Sequence, residues 1–495
     1  IYKDSFIMLL MKDKYHKRLS KLLKNKWGFD TLKNKQMEII EALISEKKDV
    51  VGLLPTGYGK SMTFIIPPLI TKKVCIVISP LISLMDDQKQ KLIEQDIPVA
   101  ALHGNNSKKD KEIFDIIDGK IRIVYMSPEF LMKGDGMELA TTLNDDNMLG
   151  LFAIDEAHCT SVWGHDFRND YLKLGTFRDK FPKIPILAVT ATATFKVVDD
   201  IIKYCKMKEP LLVRANFDRP NLFLRFEKAD GPQAKYVDPF IKKYIKEDCE
   251  DRIIIYTNSR KDSIELAEDI NQSNKKLSMA YHAGMSKKMR SIVQHKFNSG
   301  EVKVIVSTIA FGMGIDQTVR CVLIFGAPSS IEEYYQQIGR AGRDTHDAET
   351  VLFFQYKNII IAQSMLSKYT NLQVREAKSL GYRNMAKLNF IKTCRRRFIL
   401  EYFGQVPKFF CCSNCDNCCE TTMDVTDQMY DLLINGENHK EVFNKSELVK
   451  LQDKGLIALY GDVIKVYQDL HNWKNIMIAN KVTKENMKDK YRVYI

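Results

Sequence analysis

The sequence of 495 residues contains no long hydrophobic segment. The apolar stretch near its start, Phe6 to Met11, is flanked by charged residues and is far shorter than the roughly 20 residues that span a bilayer. The start also lacks the pattern of a secretory signal peptide. We therefore expect no membrane partner and an intracellular location, the nucleus if the organism is eukaryotic and the cytoplasm otherwise.

Cysteine is scarce outside one short region. Five of the eleven cysteines are scattered singly, and the other six lie between Cys394 and Cys419. An odd number of cysteines, clustered in this way, disfavours a disulfide framework. The sequence instead predicts a metal site in this region.

The cysteine cluster has the spacing of a metal-binding turn. Cys412, Cys415 and Cys418 form two successive C-x₂-C spacings, and Cys394 lies eighteen positions before Cys412. Three thiolates on one tight turn, joined by a fourth from a helix, can hold zinc tetrahedrally.

Two alternatives stay open for this metal site. Cys411 could replace Cys412, and Cys419 could replace Cys418, because each pair is adjacent in the chain. Two successive C-x₂-C spacings also occur in iron–sulfur proteins, so iron is the rival metal.

Acidic residues are outnumbered by basic ones. The chain has 75 Lys and Arg against 62 Asp and Glu, which gives a net charge of +13. This excess favours a polyanionic partner such as a nucleic acid, although surplus lysine is also a common solubilising surface. A hydrophobic content of 45% is sufficient for packed cores, and this length predicts two to four domains.

A glycine-rich loop follows an apolar run at residues 49–54 that suits a buried parallel strand. Gly57 and Gly59 allow backbone N–H groups to approach phosphates, and the helix expected after them adds its positive N-terminus. Lys60 can reach the β- and γ-phosphates of a nucleotide, while the Ser61 hydroxyl can bind Mg²⁺. Leu54 departs from the commonest form of this motif, which has glycine there; the alternative is a glycine turn with a surface lysine. The nucleotide-binding candidates in this loop are Thr56, Gly57, Gly59, Lys60 and Ser61.

A second motif, Asp-Glu-Ala-His at residues 155–158, follows the apolar run 149–154. Ligands of open α/β sheets bind at the carboxyl ends of the strands, where Asp155 would lie. Asp155 is expected to hold Mg²⁺, and Glu156 to orient or deprotonate the attacking water. The alternative is an ordinary acidic loop at the end of a strand.

Further short segments occur in a characteristic order. They are Trp27-Gly28-Phe29, Ser79 to Met85, Ser127-Pro128-Glu129, Trp163 to Arg168, Thr190 to Ala193, Asn216 to Asn221, Tyr281 to Gly284, Ala310 to Asp316 and Tyr335 to Arg343. Together with the glycine-rich loop and the Asp-Glu-Ala-His motif, this series resembles the RecQ family of helicase superfamily two over about residues 20–420. The segment Trp163 to Arg168 is the most specific to that family.

The resemblance implies an ATP-dependent helicase that translocates on single-stranded DNA and unwinds duplex DNA with 3′-to-5′ polarity. Its expected partners are single-stranded and forked DNA, and its expected cofactors are ATP, Mg²⁺ and Zn²⁺. An RNA-directed helicase or a translocase that does not unwind is the alternative. A nucleic-acid-binding module with a dead ATPase is disfavoured because Lys60, Asp155, Glu156 and Arg343 are all present.

The resemblance also assigns roles to residues beyond the two motifs. Arg340 and Arg343 would stabilise charge on the γ-phosphate, although a salt bridge from Arg343 to Asp344 is an alternative. The loop 163–168 would stack on unpaired bases, although its aromatic residues could instead fill the core. The remaining catalytic candidates are His158 and Gln336. The further nucleotide-binding candidates are Phe29, Lys33, Gln36, Gly314 and Asp316. The nucleic-acid candidates are Ser79, Ser127, Trp163, His165, Phe167, Arg168 and Arg260. The zinc ligands are Cys394, Cys412, Cys415 and Cys418.

Two departures from the family pattern concern these residues. Lys33 stands where the family usually has arginine, and lysine lacks the planar guanidinium, so base selectivity beside Gln36 would be relaxed. A buried glutamine that satisfies a turn is the alternative for Gln36. The chain is also one residue shorter than usual after Asp316, in the loop at 317–320.

Apolar runs separated by helical stretches predict an α/β protein with two RecA-like parallel-sheet lobes in tandem. A helical Cys₄ zinc module and a short winged-helix-like segment would follow. The evidence for the latter is a predicted helix at 444–454 and the alternation of Leu456 to Tyr467 around Gly461-Asp462, which predicts a hairpin turn. A plain helical tail is the alternative for this segment. The predicted strands are 50–54, 74–79, 121–126, 149–154, 184–190, 253–257, 302–307, 321–325 and 350–354. The predicted domains are a basic helix at 1–26, lobe 1 at 27–215, lobe 2 at 216–360, the zinc module at 361–425 and the C-terminal segment at 426–495.

Overall fold

The computed structural model describes most of the chain. The described residues are 17–104, 106, 108–164, 166–246, 249–274, 276–308, 311, 317, 319–326, 328–355, 357–419, 457–460 and 463–466. They fall into two compact units, Ile1–Asn216 and Phe217–Ile495.

The first unit is a RecA-like lobe built on one parallel sheet. Its strands in chain order are β1 Val50–Leu53, β2 Val74–Ile78, β3 Val99–Leu102, β4 Ile123–Met126, β5 Leu149–Ile154, β6 Ile186–Thr190 and β7 Leu211–Arg214. Their order across the sheet is β3-β4-β2-β5-β6-β1-β7, and every neighbouring pair is parallel. The structure confirms the predicted strands at β1, β2, β4, β5 and β6. Each of them is an apolar run that is almost fully buried, as expected for a central parallel strand.

Helices cover the sheet of the first unit and bury its apolar side chains. They span 17–27, Asn34–Glu41, Met62–Thr71, Ile82–Glu94, Lys109–Ile117, Pro128–Met132, Asp135–Asp145, Gly175–Lys180 and Phe195–Tyr204. A π-helical turn lies at Ala42–Glu46, and 3₁₀ turns lie at Ala157–Thr160 and Asn169–Lys173. The helix at 17–27 is the described part of the predicted basic helix. It packs by Leu19 and Leu23 against the helix Met62–Thr71, so it is a packing element.

The second unit contains another RecA-like parallel sheet. Its strands are β8 Leu222–Lys228, β9 Arg252–Tyr256, β10 Ser278–Tyr281, β11 Val304–Ser307, β12 Val319–Phe325 and β13 Ala348–Phe354. The order across the sheet is β10-β11-β9-β12-β13-β8, which leaves β8 at one edge. The predicted strands at β9, β11, β12 and β13 are confirmed. The helices around this sheet span Ala234–Tyr244, Arg260–Ser273, Lys287–Ser299 and Ile331–Ile338.

A helical module follows the second sheet and attaches to its edge. Its helices span Lys357–Leu366, Leu372–Phe390, Arg395–Tyr402 and Asp416–Cys419. The cysteine-bearing loop before the last helix adds to β8 through a bridge between Leu224 and Cys415. The N–H of Phe226 donates to the Asp416 carboxylate at 3.0 Å. The cysteine region therefore covers the sheet edge that β8 would otherwise expose.

The C-terminal segment is described only in one antiparallel hairpin. Strand β14, Ile457–Tyr460, pairs with β15, Val463–Val466. Both strands belong to the hairpin that is predicted from the alternation of apolar and polar residues on either side of residues 461–462. The predicted helix at 444–454 lies outside the described residues, and the winged-helix interpretation stays a prediction. Within the described ranges no helix has the length and apolarity to cross a membrane.

Candidate functional site

In the first unit, the glycine-rich loop and the Asp-Glu-Ala-His motif meet at one edge of the sheet. The loop follows β1 and the motif follows β5, and β6 lies between these two strands. All three strands are parallel, so their carboxyl ends share an edge. The Lys60 Nζ atom lies 3.1 Å from the Glu156 Oε1 atom, although the two residues are 96 positions apart. Residues from both motifs thus form one polar site.

The conformation of the loop requires its glycines. Gly57 has φ +82° and Gly59 has φ +89°, in the region that side chains with a Cβ rarely adopt. A Cβ at Gly59 would also lie 2.6 Å from the Gln36 amide nitrogen. Ser61 immediately precedes the helix Met62–Thr71, so the strand–loop–helix context of a phosphate-binding loop is present.

The two carboxylates of the motif differ in their surroundings. Asp155 is only 3% exposed, and burial, followed by the nearby Glu156 charge, raises its pKa to about 7. Its Oδ1 accepts a hydrogen bond from the Glu156 N–H at 3.0 Å. Glu156 has φ +49°, an uncommon conformation for this residue that is typical of functional sites. The Asp155 carboxylate and the Ser61 hydroxyl are oxygen donors, which is the donor type that Mg²⁺ prefers.

His158 connects this motif to the end of β6. Its Nδ1 lies 2.8 Å from the Thr190 hydroxyl and 3.4 Å from the Glu156 Oε2 atom. The Thr190 hydroxyl also reaches the Thr192 carbonyl at 3.3 Å. The imidazole therefore joins the carboxylate to the segment that starts at Thr190.

The predicted adenine contacts lie beside the glycine-rich loop. The Gln36 amide nitrogen donates to the carbonyls of Tyr58 and Gly59 at 3.0 and 2.9 Å, and its oxygen accepts the Lys33 N–H at 2.9 Å. Gln36 thus satisfies the loop backbone in this structure, which matches the alternative reading of this residue. Phe29 is 52% exposed, so its ring presents a surface for stacking. Adenine recognition by these residues stays a prediction.

The aromatic loop at 163–168 packs on the Asp-Glu-Ala-His motif through Gly164. A Cβ at Gly164 would lie 2.2 Å from the His158 carbonyl oxygen. The Arg168 guanidinium donates to the Pro80 carbonyl at 2.5 Å and pairs with Asp166. The Lys196 Nζ lies 3.1 Å from the centre of the Trp163 ring. Trp163 and Phe167 are both half-buried, whereas His165 lies outside the described residues.

The three other nucleic-acid candidates differ in accessibility. Ser79 is 1% exposed, and the Ser127 hydroxyl accepts the Phe130 N–H and so caps the helix Pro128–Met132. Contact of either hydroxyl with a phosphate would need rearrangement, so their role stays a prediction. Arg260, in the second unit, is exposed.

The arginine motif of the second unit follows the helix Ile331–Ile338. Burial raises the pKa of the Tyr256 hydroxyl, and the positive charges of Arg340 and Arg343, which lie near this group, oppose the rise. Asp344, the alternative partner of Arg343, contacts Arg320 and His346. Gln336 is half-buried on the helix. The candidates Gly314 and Asp316 lie outside the described residues.

The structure brings together the four cysteines that the resemblance assigns to zinc. The sulfurs of Cys394, Cys412, Cys415 and Cys418 all lie within 4.8 Å of one another. Zinc–sulfur bonds of about 2.3 Å give a tetrahedron with sulfurs about 3.8 Å apart, which this cluster can adopt. Hydrogen bonds, foremost from Cys394, lower the pKa of the Cys412, Cys415 and Cys418 thiols, and zinc needs thiolates. The donors therefore fit zinc.

One set of contacts was not predicted from the sequence. Arg219 and Asn221 donate to the Gly342 carbonyl within the arginine motif, and Arg396 donates to the Arg219 carbonyl. Their sequence signal was the segment 216–221, which the resemblance included without assigning a role to any of its residues.

Family models match three parts of the chain. Residues 33–201 match the DEAD/DEAH box helicase model, and residues 237–345 match the helicase conserved C-terminal domain. Residues 356–419 match the RecQ zinc-binding model.

Several known proteins are similar over most of this chain. The putative ATP-dependent RNA helicase R290 of Acanthamoeba polyphaga mimivirus is 38% identical over 84% of this chain and 74% of its own length. The ATP-dependent DNA helicase RecQ of Bacillus subtilis is 34% identical, over 88% of this chain and 73% of its own length. The bifunctional 3′-5′ exonuclease/ATP-dependent helicase WRN of Mus musculus is 36% identical, and this chain spans only 29% of it.

A solved structure shares the fold. The DUF1998 helicase MrfA bound to DNA and AMPPNP has a TM-score of 0.56 and 17% identity, covering 90% of this chain and 61% of that chain. At this identity the likeness concerns the fold alone.

Proposed function

Because the chain belongs to the RecQ family of ATP-dependent DNA helicases, we propose that it translocates on single-stranded DNA and unwinds duplex DNA. The observation that carries the proposal is the 3.1 Å contact between Lys60 and Glu156. It joins the glycine-rich loop to Glu156, the carboxylate to which we assign the catalytic role, at one edge of the sheet. ATP hydrolysis at this edge would supply the free energy for strand movement.

The contact between Lys60 and Glu156 has a chemical consequence for hydrolysis. When ATP occupies the loop, its β- and γ-phosphates compete for the Lys60 ammonium. Glu156 is then released to orient the attacking water or to accept its proton. Ser61 and Asp155 would hold Mg²⁺, which would neutralise negative charge on the phosphates.

The second unit would contribute positive charge to the reaction. Arg340 and Arg343 would meet the γ-phosphate, where guanidinium groups stabilise charge that develops as the phosphoryl group transfers. Gln336, in the last turn of the preceding helix, would orient the same phosphate. The contribution of these residues would therefore depend on whether a γ-phosphate is present.

The aromatic loop would transmit nucleic-acid binding to the ATP site. Trp163 and Phe167 offer faces on which unpaired bases stack, and a basic loop residue such as Arg168 suits phosphate. Gly164 packs on the His158 carbonyl, and His158 contacts Glu156 and Thr190. A nucleic-acid strand bound at the loop would therefore act on the Glu156 carboxylate through Gly164 and His158.

The preferred substrate is forked DNA, with 3′-to-5′ polarity taken from the family resemblance. An RNA-directed activity is the second candidate, because the relative R290 is named an RNA helicase. A helicase that reads phosphates and stacks bases can act on either nucleic acid unless it contacts the 2′-hydroxyl.

An unwinding assay tests the proposal. Forked DNA and forked RNA of the same sequence are compared with and without ATP. The single-stranded overhang on which the protein loads is placed at either the 3′ or the 5′ end. We expect ATP-dependent separation of DNA forks with a 3′ loading strand. Glu156→Gln should retain nucleotide binding and lose turnover by about 10²- to 10⁴-fold, the usual contribution of a general base.

The matched control is Lys111→Ala, which removes an exposed lysine of the same unit. It should unwind like the wild-type protein, whereas Lys60→Ala should not unwind. Separation of RNA forks alone would favour the second candidate. Full turnover in Glu156→Gln would contradict the assigned site.

A further inference from the structure

The turn that carries Arg340 and Arg343 is held by side chains from a distant segment of the second unit. The Arg219 guanidinium donates to the carbonyls of Ala341 and Gly342 at 2.9 and 2.8 Å. Both carbonyls lie between the two arginines of the motif. Arg219 therefore binds the backbone from which these side chains project.

The Gly342 carbonyl is the centre of this contact. Besides Arg219, it accepts the Asn221 Nδ2 at 2.9 Å and the Thr345 N–H at 3.1 Å. Gly342 has φ +55°, and a Cβ there would lie 2.5 Å from the Asn221 amide nitrogen. The turn thus needs glycine both for its conformation and for the close approach of Asn221.

Arg219 is itself held by the zinc-binding module. Arg396, which is 5% exposed, donates to the Arg219 carbonyl and lies 3.1 Å from the Asp218 carboxylate. Its other terminal nitrogen donates to the carbonyls of Leu222 and of Asn414, the latter at 3.3 Å. One buried guanidinium therefore contacts both ends of the segment 218–222.

The cysteine loop makes a second contact with this segment. Asn414 lies between the zinc ligands Cys412 and Cys415, and its Nδ2 donates to the Pro220 carbonyl at 2.7 Å. Its carbonyl accepts the Leu224 N–H at 3.4 Å. The shape of the cysteine loop, which four thiolates around one ion would determine, thus sets the position of the segment that holds Arg219.

We infer that Arg219 and Asn221 are positioning residues for the arginine motif, and that the zinc-binding module supports them through Arg396 and Asn414. The inference rests on the proposed role of Arg340 and Arg343 at the γ-phosphate. It gives the cysteine cluster a part in ATP hydrolysis as well as in folding.

The physical reason is the sensitivity of catalysis to position. Guanidinium groups stabilise a transition state only when they are held where charge develops, and a displacement of about 1 Å can cost on the order of 100-fold in rate. Binding of ATP depends mainly on the first unit, so it should tolerate such a displacement. Loss of these contacts should therefore lower kcat and leave nucleotide affinity unchanged.

The first experiment compares Arg219→Ala with Arg252→Ala in DNA-stimulated ATP hydrolysis. Arg252 is a suitable control because it is buried in the same unit and also binds backbone carbonyls, those of Phe297 and Glu250. We expect kcat of Arg219→Ala to fall about 10- to 100-fold with unchanged affinity for a fluorescent ATP analogue. Arg252→Ala should keep kcat at a temperature where both variants are folded. Equal kcat in the two variants would overturn the inference.

A double-mutant cycle separates this inference from the proposed function. If Arg219 acts through Arg343, then Arg219→Ala should have no further effect on kcat in an Arg343→Ala background. Arg343→Ala with normal kcat would refute the role proposed for the motif. Arg343→Ala with low kcat, combined with an independent multiplicative loss from Arg219→Ala, would refute the positioning role alone.

The contribution of the zinc-binding module is tested without touching a cysteine. Asn414→Ala removes the contact to Pro220, and Ser413→Ala alters the exposed neighbouring residue as the control. With one zinc per chain verified in both, Asn414→Ala should lower kcat about 2- to 10-fold, as expected for the loss of one net hydrogen bond. Identical kcat values in these two variants would contradict the supporting role of the zinc-binding module.

Discussion

At the scale of single residues, the main feature is the buried carboxylate of Asp155, which the sequence predicts to be functional and which lowers stability when charged. Asp155 is expected from the sequence to bind Mg²⁺, and it lies almost fully buried beside Glu156. Burial disfavours its charged form, and only the tertiary structure reveals this effect. Lys60 opposes it in part, because its positive charge lowers the Asp155 pKa.

Replacing this carboxylate should stabilise the protein in a pH-dependent way. The Asp155 pKa rises from the usual 3.8 to about 7 on folding, so the folded state binds more protons than the unfolded state between these pH values. The free energy of unfolding therefore falls as pH increases through that window. Asp155→Asn avoids this loss and should be more stable than wild type at pH 8, by at most about 4 kcal/mol for three pH units. At pH 4 the difference should be small.

Urea unfolding at pH 4 and pH 8 in magnesium-free buffer measures this effect. Asp199→Asn, on an exposed helical position of the same unit, is the matched control and should show no such change. If the free energies of unfolding of Asp155→Asn and wild type differed by the same amount at both pH values, the raised pKa of Asp155 would be contradicted.

At the scale of elements, the central strands were predicted and several shorter or edge strands were not. β3 is a four-residue strand that contains two alanines, which favour strands weakly. β7 and β8 lie at sheet edges, and β7 follows Pro210, so they lack the continuous apolar run of a central strand. β10 is also an edge strand of only four residues. All four missed strands, β3 included, lie at sheet edges, and the sequence does not contain this position directly.

The packing of the aromatic loop on the Asp-Glu-Ala-His motif gives a prediction at this scale. Gly164→Ala would place a methyl group 2.2 Å from the His158 carbonyl, so the loop must move. We expect about 1–3 kcal/mol of destabilisation from overpacking, together with loss of DNA-stimulated ATP hydrolysis. Basal hydrolysis should be less affected.

Gly104→Ala is the control for this prediction, since a Cβ there meets no atom within 4 Å. It should keep both stability and stimulation. Full DNA stimulation in Gly164→Ala would mean that the loop conformation is not needed to sense nucleic acid.

At the scale of the whole molecule, the order of motifs identified the family and the comparisons confirm it. The two parallel-sheet lobes and the cysteine-bearing helical module are confirmed as well. No single motif was sufficient, because a glycine-rich loop or an acidic pair occurs in many proteins. The domain boundaries and the roles of individual site residues stay predictions.

Removal of zinc should loosen one edge of the second unit. The N–H groups of Leu224 and Phe226 donate to the cysteine loop, so their protection from hydrogen exchange should fall when a chelator removes zinc. Amides of β1 in the first unit serve as the internal reference and should keep their protection. Unchanged exchange at Leu224 and Phe226 in metal-free protein would show that the loop keeps its shape without zinc.

The sequence by itself determined the family through the order of its motifs, and it predicted which residues bind phosphate, metal and unpaired bases. Local spacing was enough for this, because the glycine-rich loop and the cysteine turn are each formed by residues close in sequence. Only the tertiary structure decided how distant residues meet, such as Lys60 with Glu156, or Arg396 with the segment that holds Arg219. These contacts depend on strand order and on the covered edge of β8, which arise from packing across the whole unit rather than from any local pattern.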